Sequence, residues 1–188
     1  MAEILLFHHA LGSTPGFQAF ADRLRDAGNT VHTPDLFDGE TFATVDEGVA
    51  HAREVGFETL ANRGVAEAEG LAADLVYAGF SLGVVPAQQL AQTRPGAKGA
   101  LFFSAAMPPE EFGGPFPDDV PLQIHVMEDD DLGDVDVAQA LAAEVDGAEL
   151  FLYPGDKHLF ADASGPDYDP AAAKLLEERV LAFLTRVD

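Results

Sequence analysis

The sequence predicts an α/β fold: one domain over residues 1–188, built on a mostly parallel sheet of about six or seven strands with helices on both faces. Three observations carry that expectation. Short apolar runs alternate with longer stretches of helical periodicity along the whole chain. Several runs, such as Glu3-Ile4-Leu5-Leu6-Phe7 and Gly99-Ala100-Leu101-Phe102-Phe103, are apolar without alternation, as in strands covered on both faces. Hydrophobic residues make up 47% of the 188 positions, enough for one sizeable core and too many for a disordered chain.

Each element has its own signal. Residues 3–7 form the first predicted strand. Phe17, Phe20, Ala21, Leu24 and Ala27 then recur at helical spacing, and Gly28 ends that helix. Residues 30–33 are a second strand, stopped by Pro34. The stretch 46–70 is rich in Ala, Glu and Gly, which suits one or two imperfect helices. Residues 74–80 read as a third strand and 82–92 as a helix closed by Arg94-Pro95-Gly96. Residues 99–103 are a fourth strand. Residues 108–119, with four prolines, read as a loop that is either a lid or rim for a site or a rigid connector. Residues 122–127 are a fifth strand, 135–145 a helix, and 149–153 a sixth strand. Pro170 opens a last helix through 184, with Leu175, Leu176, Val180, Phe183 and Leu184 as its apolar stripe.

Charge and composition exclude several functions. Ten Lys and Arg against 33 Asp and Glu give a net charge of −23. Nucleic acid and an anionic membrane are therefore not expected partners, since either needs a basic face. With no cysteine, disulfides, thiolate metal sites and a Cys nucleophile are excluded. No apolar run approaches the roughly 18 residues of a bilayer span. Met1-Ala2-Glu3 brings no basic segment, and the apolar run behind it is too short for a secretion signal, so the cytoplasm is the expected location. The acid-rich surface, with only Lys98, Lys157 and Lys174 as lysines, also suits a high-salt cytoplasm.

In parallel sheets, ligands bind beyond the carboxyl ends of the strands, so catalytic groups should follow strands directly. Gly79-Phe80-Ser81-Leu82-Gly83 meets that condition: strand, serine, helix, in the pattern G-x-S-x-G. So tight a turn forces Ser81 into a strained conformation that lifts its hydroxyl above the sheet, and the flanking glycines avoid clashes. A serine nucleophile needs a base, and the base needs an acid to orient it, in the chain order Ser, acid, His. Two histidines follow Ser81. His125 lies within a predicted strand and suits core packing, whereas His158 lies in the loop after the sixth strand and is the expected base. The acid should follow the fifth strand, where Asp129, Asp130 and Asp131 are all candidates; the pattern favours Asp130. The oxyanion donors are expected to be the N–H groups of Leu82 and Ala10, with Leu11 the next choice. The adjacent His8 and His9 point apart and lack a third ligand, so no metal is expected, and no cofactor.

With these residues placed, the chain resembles the dienelactone hydrolase family of α/β-hydrolases nearly end to end. Phe7-His8-His9-Ala10-Leu11-Gly12 resembles the family's oxyanion loop, and Pro34-Asp35-Leu36-Phe37-Asp38-Gly39 its segment after the next strand. Gly79 to Gly83 falls on the nucleophile elbow, and Tyr153-Pro154-Gly155 with His158 and Phe160 is similar to the family's His loop. The resemblance implies an α/β-hydrolase without a large cap. It also marks departures. Founding members use Cys where Ser81 stands, a Glu where His9 stands, and a substrate-binding Arg where Asp162 stands. The resemblance thus implies fold and hydrolase class, and not dienelactone as substrate.

The expected activity is hydrolysis of a small carboxylic ester or lactone through an acyl-enzyme. The alternatives are a thioesterase, amidase or acyltransferase on the same fold, or a binding protein with a decayed site. His9, Leu11, Phe37, Met107 and Phe160 are expected to line the site, as are Phe42, Phe112 and Phe116. Core packing at the loop bases is the alternative for these aromatics.

Overall fold

The computed structural model describes all 188 residues, Met1–Asp188. Six strands form one sheet: β1 (Glu3–Phe7), β2 (Thr30–His32), β3 (Val76–Phe80), β4 (Gly99–Phe103), β5 (Leu122–Met127) and β6 (Glu149–Tyr153). Their order is β2-β1-β3-β4-β5-β6, and every pairing is parallel. Six α-helices connect and cover them: α1 (Pro15–Asp26), α2 (Val45–Val55), α3 (Phe57–Glu67), α4 (Val84–Thr93), α5 (Val135–Glu144) and α6 (Pro170–Val187).

The apolar runs work as their lack of alternation implies. Successive residues of the inner strands β1, β3 and β4 enter separate cores on the two faces. Leu5 and Phe7 of β1 join Tyr77 and Phe102 under α2 to α5. Ile4 and Leu6 join Val76, Ala78 and Phe103 under α1 and α6. Chain direction across the sheet reverses between β1 and β3: β2 lies outside β1, and the chain returns past it to β3. The loops leaving β1 and β3 therefore flank the crevice at the switch point.

Local chemistry sets the boundaries. The 46–70 stretch forms two helices because Gly56, at φ +97°, breaks it; Thr44 and Glu47 close a capping box at the first. The helix predicted at 82–92 begins as a 3-10 turn, Ser81–Gly83, before α4. In α6 the buried stripe is Ala173, Leu176, Val180, Phe183 and Leu184; Leu175 faces solvent, contrary to expectation, because it falls outside that arc. The 108–119 loop is tied to α4. Gln88 and Gln92 of α4 bond the carbonyls of Met107, Pro109 and Gly114 at 2.8–3.1 Å, and Phe116 is buried in the core. No helix is long and apolar enough to cross a membrane.

Candidate active site

Ser81 leaves β3 with φ +49°, a left-handed conformation that costs a non-glycine residue about 1–3 kcal/mol. Packing on both sides enforces it. A Cβ on Gly79 would lie 2.1 Å from the Gly83 carbonyl oxygen, and a Cβ on Gly83 would lie 2.5 Å from that of Phe7. The elbow is thus pressed against the backbone of β1, where only glycine fits.

Three residues from three strand ends meet here. Ser81 Oγ lies 2.7 Å from His158 Nε2, and His158 Nδ1 lies 2.8 Å from Asp130 Oδ2. With the Asp130 carboxylate accepting the Nδ1 proton, the Nε2 lone pair is left for the Ser81 hydroxyl. His158 and Asp130 are each 5% exposed, whereas Asp129 and Asp131 are exposed. The loops carrying them extend the β5–β6 pairing: Glu128 N–H donates to Tyr153 O and Asp129 N–H to Gly155 O. Asp130 Oδ1 accepts from Leu132 N–H at 3.0 Å, and Gly133 leaves room for the carboxylate, since a Cβ there would lie 2.6 Å from Oδ2.

The loop after β1 is held by two neutral imidazoles. Leu36 N–H donates to His8 Nε2 at 2.9 Å, so the His8 proton sits on Nδ1, which donates to His9 O at 2.8 Å. Burial pushes the His8 pKa down, against the opposing pull of the His9 carbonyl. Leu11 N–H donates to His9 Nδ1 at 3.3 Å, so the His9 proton sits on Nε2, which donates to Asp162 Oδ2 at 2.8 Å. Asp162 also accepts from Thr14 Oγ1, Ser164 N–H and Ser164 Oγ at 2.5–2.7 Å. Burial would raise its pKa, but the hydrogen bonds from His9, Ser164 and Thr14 prevail and hold it well below the usual carboxylate range. Its position at the N-terminus of α1, capped by Thr14, favours the same charge. Ala10 N–H has no backbone acceptor.

The residues expected to line the site differ in exposure. Phe37 and Phe160 are 1% and 0% exposed and belong to the two cores, not to a surface. Phe37 packs on His8 and His51, and Phe160 on Tyr153, because loops leaving a sheet still cover its edges. Phe116 is likewise core. Phe42 packs on Phe37 and His51, and Phe112 is half-buried in the 3-10 turn Pro109–Phe112. Met107 keeps a half-exposed side chain, its backbone fixed by Gln88. Leu11 lines a cavity of about 150 Å³ with Val45, Leu159, Pro166, Thr44 and Asp167. Sequence reasoning missed the Asp162 network. The one available signal was that the family resemblance marks departures at both His9 and Asp162. His125 is fully buried between Tyr153 and Gln123, as its strand position implied.

A serine on a strained strand-to-helix turn, at the switch point of a parallel sheet, defines the α/β-hydrolase class. Residues 2–187 match the dienelactone hydrolase family, and the chain belongs to it. Solved structures agree on the fold. One similar structure is a dienelactone hydrolase-like promiscuous phosphotriesterase from metagenomic libraries, 17% identical, covering 100% of this chain and 87% of that one at TM-score 0.75. Another is a dienelactone hydrolase from Anabaena variabilis, 17% identical, covering 99% and 86% at TM-score 0.67. A metagenome-derived lipolytic enzyme is 18% identical, covering 98% and 94% at TM-score 0.68. No curated protein matches the chain.

Proposed function

We propose that the protein is a serine hydrolase of small carboxylic esters or lactones, acting through an acyl-enzyme. The observation that carries this reading is the unbroken hydrogen-bond chain from Ser81 Oγ through His158 to Asp130. Ser81 Oγ attacks the substrate carbonyl carbon while His158 Nε2 takes its proton. Asp130 stabilises the imidazolium and holds its tautomer. The tetrahedral oxyanion accepts from Leu82 N–H, at the start of the elbow helix, and from Ala10 N–H. Losing one such donor typically costs about 2.7–4 kcal/mol of transition-state stabilisation. His158 then protonates the leaving alkoxide as the carbonyl re-forms, giving acyl-Ser81 and free alcohol. Water enters, His158 takes its proton, and a second tetrahedral intermediate collapses to acid and free Ser81.

A short-chain p-nitrophenyl ester tests this directly. Wild type is expected to turn it over and to react with a fluorophosphonate, and Ser81→Ala to do neither. Equal turnover by both proteins would remove Ser81 from the mechanism. A panel of lactones, thioesters and amides then sorts the leaving group, which the three residues do not encode.

A further inference from the structure

We propose that His8 and His9, held in opposite neutral tautomers, are positioning residues that fix the two peptide planes flanking Ala10 and so aim its N–H at the oxyanion. The inference rests on the serine-hydrolase reading above and adds a device to it. A peptide unit is planar and trans, so fixing its carbonyl fixes the N–H on the opposite side. The His9–Ala10 unit is fixed through His9 O, which accepts from His8 Nδ1 at 2.8 Å and from Gly12 N–H at 3.0 Å. The Ala10–Leu11 unit is fixed through Leu11 N–H, which donates to His9 Nδ1. Its carbonyl is backed by α2, where a Cβ on Gly48 would lie 1.8 Å from Ala10 O.

The scheme works only if His9 keeps Nδ1 free of a proton. Asp162 supplies that condition. Its Oδ2 holds the single imidazole proton on Nε2, and Thr14 and Ser164 saturate the rest of the carboxylate. Gly16 makes the approach possible, since a Cβ there would lie 1.7 Å from Asp162 Oδ1. Four donors converge on Asp162, so its negative charge is built into the site. His8 needs the other tautomer, and Leu36 N–H selects it.

The test separates the two hydrogen bonds of His9. His9→Phe fits between Phe17 and Phe80 and removes both. His9→Asn keeps an acceptor for Leu11 N–H, two residues on, without needing a tautomer. His9→Gln keeps a donor for Asp162 and moves the acceptor away from Leu11. For His9→Phe and His9→Gln, kcat is expected to fall about 10–100-fold with KM within about threefold, as for a transition-state donor left misaligned. The inhibition constant of a trifluoromethyl ketone, which forms a tetrahedral adduct on Ser81, should rise by the same factor. His9→Asn should restore kcat to within a few-fold of wild type. Side-chain 15N shifts should report Nδ1–H for His8 and Nε2–H for His9.

Unchanged kcat in His9→Phe, a loss confined to KM, or the same tautomer in both rings would overturn the proposal. If His9→Phe does not fold, the contrast between Asn and Gln decides: equal losses in the two reject it. Failure of the underlying reading is separate, since it appears as wild-type turnover that survives Ser81→Ala.

Discussion

His158 Nδ1 lies 2.8 Å from Asp130 Oδ2, and Asp130 is the buried carboxylate in a run of four acidic residues. The sequence pattern favours Asp130 among three candidates, and burial separates it from its two neighbours. Asp129 and Asp131 are exposed to solvent and make no hydrogen bond to the imidazole. Asp130→Asn should lower kcat by about 10³–10⁴-fold, because an amide no longer enforces the tautomer that leaves Nε2 free. Asp129→Asn and Asp131→Asn should stay within about twofold of wild type, as surface changes do. Steady-state kinetics on the three variants checks the assignment; a large loss in either neighbour would contradict it.

The sheet, the elbow and the loop carrying His158 were legible because each rests on local rules. Continuous apolar strands, a G-x-S-x-G turn and Pro or Gly boundaries all act within a few residues of themselves. What sequence left open is what depends on distant partners. Phe37 and Phe160 sit in loops, yet their rings fill the two cores, and nothing in local pattern distinguishes a loop aromatic that lines a site from one that seals a sheet edge. The choice among Asp129, Asp130 and Asp131 depended on a loop bonded to the Tyr153–Gly155 backbone. The pairing of His9 with Asp162 spans 153 positions, and no local periodicity encodes it.

The elbow glycines are under the severest steric demand. In Gly79→Ala, the new Cβ would meet the Gly83 carbonyl oxygen at 2.1 Å, backbone that cannot swing aside as a flexible side chain would. Overpacking of this kind costs about 1–3 kcal/mol or more. Urea unfolding should show that loss. Activity should fall further than stability explains, because relief of the clash moves Ser81 from His158. Gly39→Ala is the control for an open site: no atom lies within 4 Å, and only its φ of +93° opposes the change.

Substrate charge is the next discriminant. Lys157 is the one cation in the loops beyond the strand ends, and its Nζ is already bonded to Tyr168 O at 3.3 Å. The same loops carry Asp129, Asp131, Asp156 and Asp167, and a cleft of about 590 Å³ beside Asp130 is lined by six carboxylates. An ester bearing a carboxylate must enter against that field. At low salt, kcat/KM for a succinate half-ester should be at least about tenfold below that of a neutral ester of equal length, and the gap should narrow as salt screens the repulsion. A ratio near one at low salt, or no salt dependence, would show that the acidic rim does not act on substrate.

Acid sensitivity of the fold should trace largely to His125. Complete burial, with a smaller contribution from the Arg179 charge, lowers its pKa from 6.5 to about 3. The sign follows from proton uptake. Above pH 6.5 neither state is protonated at this residue and it contributes nothing. Between 6.5 and about 3 the unfolded chain binds a proton that the folded chain refuses, so stability falls as pH falls. Integrated from pH 7.5 to 5, that loss is about 2 kcal/mol. His8, also lowered by burial, adds in the same direction. Carboxylates with ordinary pKa values remain ionised in both states over most of this window, which isolates the histidines. Urea unfolding of wild type and His125→Gln at fixed salt measures the difference. The variant should lose less stability by about 2 kcal/mol over that range, whatever its stability at pH 7.5. Parallel profiles for the two proteins would mean that the ring is protonated inside the fold, with Tyr153 and Gln123 both accepting from it.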